Sequence, residues 1–465
     1  MKVLLLRVPV LAPLTITPPL GLGFLASALK KQGMTVRILD GVKSGTGIAS
    51  LVRYVDMFSP QMVGLSLMTT DLGTARQFVE VLSSRFPGIP LVVGGPHVSA
   101  LPEHPLQSLG VAYGIAGEAE HGLVALARHL QDDSLIDEAE IPGLIYRTNG
   151  SVSVNPAGIL EDLDSLGPPA WELLQPETYP PAPLAGFARR FPVAPLLLTR
   201  GCPWRCRFCS AHVVHHRKVR CRSVAGIIEE VLYLQKAHGI REFHFIDDNF
   251  AVGKKQTLAL CQALSELRPK PLWCVPQGIR LDSVDEEVAE ALVQGGCYRV
   301  LAGLESGSER VLERMEKQIS LEEAESRLWI LKRVGLRVGA NFIIGYPGER
   351  REDVEKSIAF ARRLPLDYCS FTAFVPYPGS AVFDELLAEG RVSLKTLPDS
   401  DMYFVERSYT EHLTAREIKS YRLRAYLTFF LRPGPLFHLV TEVRSLGHLK
   451  MVLRRAWVHM RHLAG

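Results

Sequence analysis

The chain's 465 residues suffice for about three domains, and its 47% hydrophobic and 22% charged residues exclude wholesale disorder. Thirty-eight glycines and 31 prolines spread without a period exclude collagen-like or low-complexity architecture. The net charge of +4 is uneven: Leu413–Gly465 holds ten Lys/Arg against two Asp/Glu, so the remainder is slightly acidic and has no charge reason to bind nucleic acid.

From the N-terminus, Val3–Val8, Val36–Leu39, Met62–Met68, Leu91–Val93 and Val111–Ala116 read as buried strands. Between them, Leu20–Gln32, Ile48–Phe58, Leu72–Phe86 and Ala119–Leu130 carry helical spacing. This alternation predicts a doubly wound, Rossmann-like α/β domain over residues 1–135, with ligand loops at the C-terminal strand ends. The apolar stretch Val3–Leu14 is broken by Arg7, Pro9 and Pro13, so it reads as a strand and exit loop and not as an export signal. A cytoplasmic chain with its eight cysteines reduced is expected.

Residues 136–190 are polar and proline-punctuated and read as a surface linker, with Val152–Val154 a short strand at most. From 191 to 390 the alternation resumes, with strands at Pro195–Leu198, Glu242–Ile246, Leu272–Val275, Arg299–Leu301, Val338–Ile344 and Ser370–Phe374. Six strand–helix units predict a partial (β/α)6 barrel with its chemistry at the C-terminal strand ends. Residues 391–465 read as a helical, cationic C-terminal region. Leu446, Leu449, Val452, Leu453, Ala456, Trp457 and Met460 share a face there, suited either to an anionic membrane surface or to docking on the barrel.

The sharpest signal is Cys202-Pro203-Trp204-Arg205-Cys206-Arg207-Phe208-Cys209, directly after the first barrel strand. Three thiolates within eight residues suit an iron–sulfur cluster with one iron left open, or a soft metal. Zinc is the alternative, with His212, His215 and His216 close behind. The C-x3-C-x2-C pattern with an aromatic before the last cysteine resembles the radical S-adenosylmethionine (SAM) superfamily. That resemblance implies that Cys202, Cys206 and Cys209 hold a [4Fe-4S] cluster whose fourth iron binds SAM. Reduction then cleaves SAM to methionine and a 5′-deoxyadenosyl radical.

The same resemblance implies SAM contacts from Phe208, from Asp247 and Asp248 after the second barrel strand, and from Arg280 after the third. It adds Glu305 and Ser306 after the fourth, and Asn341 in the fifth, whose loop runs through Gly345-Tyr346-Pro347-Gly348-Glu349. Five of them have a plainer reading: helix caps for the aspartates, a salt bridge for Arg280, loop structure for Glu305 and Ser306. Pro19, Leu20, Ser66, Thr69, Gly94, Gly95, His97, Gly117 and Glu118 lie at strand ends of the first domain. Together they resemble the cobalamin-binding domain of the cobalamin-dependent radical SAM family. The D-x-H-x-x-G signature that supplies a lower cobalt ligand is absent, the aligned region reading Thr70-Asp71-Leu72-Gly73-Thr74. His97 is therefore expected to line the pocket or to be a buried structural histidine.

The resemblance implies a SAM-, [4Fe-4S]- and cobalamin-dependent methyltransferase acting on an unactivated carbon, or on phosphorus, of a small or lipid-like molecule. An electron donor of the flavodoxin or ferredoxin type is implied as partner, and no catalytic side chain is singled out. An oxidative cyclase of the same architecture is the rival, and a non-catalytic sensor a more distant one. A methylthiotransferase is disfavoured, because no cysteine precedes Cys202.

Overall fold

The computed structural model describes residues 1–9, 15–132, 136–181, 188–399, 407–443, 449–450 and 452–453. The chain divides into two compact units, one of residues 1–180, 209–222 and 377–400, the other of 181–208, 223–376 and 401–465.

In the first unit the strands are β1 (Lys2–Arg7), β2 (Thr35–Asp40), β3 (Met62–Ser66), β4 (Leu91–Gly94) and β5 (Tyr113–Ile115). They are parallel in the order β2-β1-β3-β4-β5. Their apolar runs are buried on both faces, as a sheet covered by helices requires: Leu4 and Leu6 face one core, Val3 and Leu5 the other. The strand order reverses between β1 and β3, and ligands bind beyond the C-terminal strand ends at such a switch point.

The expected linker is partly sheet. Strands β6 (Leu144–Thr148) and β7 (Ser151–Val154) extend the sheet antiparallel. Their turn is Asn149-Gly150 with both φ angles positive, the two-residue turn whose twist matches a hairpin. Farther on, Trp171 is buried, and Gly23 leaves room for Pro169 and Leu174 against the first helix.

The second unit carries six parallel strands in sequence order: β8 (Val193–Leu196), β9 (Glu242–Phe245), β10 (Leu272–Ile279), β11 (Cys297–Glu305), β12 (Arg337–Ile344) and β13 (Tyr368–Ala373). Strand β10 runs past its expected end at Val275. Pro276 cannot donate to the ladder, and the register shift between Val275 and Ile279 absorbs it. The helix Ala415–Phe430 packs on β13, where Arg422 Nε donates to the Phe371 carbonyl and the Phe371 N–H donates to the Tyr426 hydroxyl.

At the N-terminal strand ends, the ligand atoms of buried Glu242, His244 and Cys274 lie within 4.8 Å of one another. Glu242 accepts from His244 Nε2 at 2.9 Å and from the Tyr298 hydroxyl at 2.7 Å, while Arg299 Nη2 lies 3.7 Å from Cys274 Sγ. Burial alone would push the His244 pKa down, but Cys274 and Glu242 outweigh it and hold it at about 9. The group is an internally paired ion network at the structural end of the barrel. Among the described residues no helix is long and apolar enough to cross a membrane. Most of the expected tail face lies outside the described residues.

Candidate functional site

The cysteine loop starts from a braced turn. The Asp247 carboxylate, fully buried at the end of β9, accepts from the Leu198 N–H (3.1 Å), the Thr199 N–H (2.5 Å) and the Thr199 hydroxyl (2.7 Å). Burial pushes its pKa up to about 6 against those donors. The SAM contact expected of Asp247 gives way to a scaffold role, because its oxygens already hold the strand end that launches the loop. The neighbouring Asp248 is exposed.

Cys202, Cys206 and Cys209 carry half-buried thiols. Each sulfur has an N–H donor: the Trp204 backbone for Cys202, Arg280 Nη1 for Cys206 (3.5 Å) and the Ala211 backbone for Cys209 (3.5 Å). Burial pushes the Cys202 thiol up, and the Trp204 N–H draws it back. The loop is tied down where the Arg207 N–H donates to the Met315 carbonyl at 3.0 Å. Three soft donors on one loop, each with an N–H···S partner, fit the thiolate ligands of an iron–sulfur cluster, whose charge such donors compensate. Of the histidines named with the zinc alternative, His215 has its Nδ1 2.9 Å from Glu118 Oε1.

Around the loop the second unit gathers several of the expected SAM residues. Glu305 ends β11 after a register shift and sits at φ +68, a strained conformation for a non-glycine residue and one that clusters at functional sites. Its Oε1 accepts from Lys317 Nζ at 3.0 Å, both side chains being buried, and Lys317 Nζ lies 5.9 Å from the Phe208 ring. No motif announces Lys317, which follows the short helix Glu309–Arg314 without a recognisable signature. Asn341 is half-buried in β12, opposite Gly303. Ser306 departs from expectation: fully buried, its hydroxyl meets Ser357 and Ser308 inside the barrel wall, so it has no face for a ligand.

Glu349 closes the loop after β12. Its buried Oε2 accepts from the Gly345 N–H at 2.5 Å, and burial, with Asp353 adding repulsion, pushes its pKa up to about 8. The folded chain therefore keeps a proton that the unfolded chain loses near its ordinary carboxylate pKa, and stability falls as pH rises from about 4.5 to 8. Glu349→Gln should flatten that slope by an amount on the order of a few kcal/mol, read from denaturant unfolding at pH 5 and pH 8.

In the first unit, hydrogen bonds stitch the loops after β3, β4 and β5 together. The Leu67 N–H donates to Gly94 O, the His97 N–H to Leu67 O, and the Gly117 N–H to Ser99 Oγ. Thr69 Oγ1 lies 3.1 Å from His97 Nδ1, and His97 Nε2 lies 3.0 Å from His104 Nδ1. Burial, then His104, pushes the His97 pKa down to about 3, so the ring is neutral. Gly95 (φ +99) would set a Cβ 2.9 Å from Leu67 O and 3.2 Å from Ser66 Oγ, and Gly117 (φ +74) would set one 2.9 Å from Ala157. The positive φ and the chain's own close packing thus call for glycine at both positions. Pro19 and buried Leu20 open the first helix, Leu20–Lys31.

Glu118 takes a different role from the one expected. Its buried carboxylate forms a two-armed salt bridge with Arg220 (2.6 and 2.9 Å), accepts the Leu160 N–H at 2.9 Å and meets His215. It anchors residues 209–222 within the unit. Arg220 and His215 stand about a hundred positions from Glu118, and no local pattern links them.

Residues 196–361 match the radical SAM superfamily, and residues 6–127 match the B12-binding domain. The chain is 29% identical to an uncharacterised methyltransferase of Pyrococcus horikoshii, over 98% of this chain and 97% of that protein. It is 26% identical to an anaerobic magnesium-protoporphyrin IX monomethyl ester cyclase of Rubrivivax gelatinosus, over 79% of this chain and 66% of that protein. Its fold is similar to that of the radical SAM methyltransferase TsrM of Kitasatospora setae, solved with cobalamin and a [4Fe-4S] cluster bound. The TM-score is 0.69 at 23% identity, covering 83% of this chain and 75% of that one.

Proposed function

The chain belongs to the cobalamin-binding radical SAM enzymes, whose cofactors are a [4Fe-4S] cluster, SAM and cobalamin, and from that premise we propose that it transfers a methyl group to an unactivated carbon, or to phosphorus, of a small molecule. The observation that carries this reading is the loop of three thiols, each met by an N–H donor, in a chain aligned nearly end to end with an uncharacterised methyltransferase. Bound together, the cluster and SAM supply a hydrogen-abstracting radical, and cobalamin supplies a methyl carrier.

In this proposal Cys202, Cys206 and Cys209 hold the cluster. Glu305 with Lys317, together with Phe208, Asp248 and Asn341, lines the SAM side. The loops at Ser66–Thr69, Gly94–Gly95 and Gly117, with Pro19 and Leu20, cradle cobalamin in residues 1–135. A flavodoxin- or ferredoxin-type donor supplies the electron, and the cationic tail is the segment for an anionic surface if the acceptor is lipid-like. The cyclase match favours a second reading, ring closure without methyl transfer.

The two readings separate by product. Reconstituted, reduced enzyme given SAM without acceptor should form S-adenosylhomocysteine to about one equivalent of bound cobalamin if it transfers methyl groups. Formation of 5′-deoxyadenosine with no S-adenosylhomocysteine would support the cyclase reading instead.

His97 yields a further expectation. Both ring nitrogens lie within hydrogen-bond distance of Thr69 and His104, which leaves neither for cobalt. The spin-resonance spectrum of bound cob(II)alamin should show no nitrogen splitting from a histidine, and His97→Ala should leave it unchanged. A three-line nitrogen splitting lost in that variant would make His97 a ligand.

A further inference from the structure

Arg280 follows β10 and is almost wholly buried. Its backbone N–H donates to Asn249 Oδ1 at 3.1 Å. Nε reaches both Asp282 oxygens at 3.2 Å, and Nη2 reaches Asp282 Oδ2 at 3.0 Å and the Lys317 carbonyl at 2.8 Å. The guanidinium carbon lies 3.9 Å from the centre of the Trp204 ring, inside the cysteine loop. With two nitrogens pinned and one face stacked, the third is aimed: Nη1 points at Cys206 Sγ, 3.5 Å away.

The family resemblance implied a SAM contact for this arginine; the geometry aims it at the Cys206 sulfur. We propose that Arg280 is a positioning residue that sets the reduction potential of the [4Fe-4S] cluster through its hydrogen bond to Cys206, held in aim by Asp282, the Lys317 carbonyl and Trp204. The physical reason is charge. Reduction adds an electron whose density spreads onto the cluster's sulfurs, and an N–H donor on a ligand sulfur stabilises that added charge and raises the potential. Asp282 neutralises the guanidinium as a whole, so the influence on the cluster is local and directional. The inference rests on the assignment of Cys206 as a cluster ligand.

The test is a spin-resonance redox titration of the anaerobically reconstituted full chain, without SAM, for wild type, Arg280→Gln and Arg280→Lys, with SAM affinity measured alongside. Arg280→Gln should move the midpoint negative, lowering the reduced-to-oxidised ratio at a fixed poise about tenfold, the part of a charge-assisted hydrogen bond's strength that differs between the two oxidation states. SAM affinity should change little. Arg280→Lys, which keeps the charge but loses the planar fork, should move the midpoint in the same direction by less, and it carries the measurement if the glutamine variant fails to load a cluster. An unchanged midpoint with weakened SAM binding would overturn the proposal and return Arg280 to the SAM contact that the resemblance implied. A wild-type chain that binds no cluster would instead overturn the cluster assignment itself, and iron analysis distinguishes that failure from the first.

Discussion

Replacing Cys202, Cys206 or Cys209 singly by alanine should remove the cluster and with it all reductive cleavage of SAM. The three thiols lie within eight residues, and each has an N–H donor. Of the five other cysteines, Cys221 is half-buried and stands outside the Cys202–Cys209 run. Cys261, Cys274, Cys297 and Cys369 are buried, and burial pushes the Cys261 thiol up to about 12. Iron and sulfide content, the absorbance near 400 nm and 5′-deoxyadenosine formation should all fall to background, a loss of at least about a thousandfold in cleavage rate. Circular dichroism should stay close to wild type, because the strand end that launches the loop is held by Asp247 and Thr199 and not by the thiols. A variant that keeps a full cluster would remove that cysteine from the ligand set.

The second large effect lies at Glu118. Its salt bridge with Arg220 is almost wholly buried on both sides, so Glu118→Gln strands a guanidinium without its counter-charge. Such a break costs about 3–5 kcal/mol, and for a unit of this size the melting temperature should fall by roughly 10 °C. Pairing Glu118→Gln with Arg220→Met should recover part of that loss, since no buried charge is then left alone. Thermal unfolding of the two single variants and the double variant checks this. Equal melting temperatures for wild type and Glu118→Gln would show that the bridge contributes nothing to the fold.

What the sequence made legible was contiguous. The cysteine loop is eight residues long, and the strands of both sheets are short apolar runs whose periodicity differs from that of the helices beside them. The features that escaped are pairings across long separations. Arg220 reaches Glu118 over 102 positions, and the Asp247 carboxylate turns back 48 positions to Thr199. A motif names the residue but not the direction of its side chain. That is why Asp247, Ser306 and Glu118 take structural partners where ligand contacts were expected. Lys317 was missed for a related reason, as a single lysine in a polar stretch becomes informative only once the fold buries it against Glu305. One miss was avoidable: Asn149-Gly150 between alternating residues is a hairpin signal, and it marks the β6–β7 turn.

The end of β10 shows the opposite case. Pro276 argues locally against a strand, and the register shift is the device by which the sheet continues past it. That continuation carries the chain to Ile279 and sets Arg280 beside the cysteine loop.

The most direct measurement of the whole account is the cofactor content of the chain after oxygen-free reconstitution with iron, sulfide and hydroxocobalamin. About four irons and about one cobalamin per chain are predicted, with the iron lost and the cobalamin retained in a Cys202→Ala variant. A chain that loads its cluster but retains no cobalamin would contradict the methyl-transfer reading and leave the N-terminal sheet with another ligand.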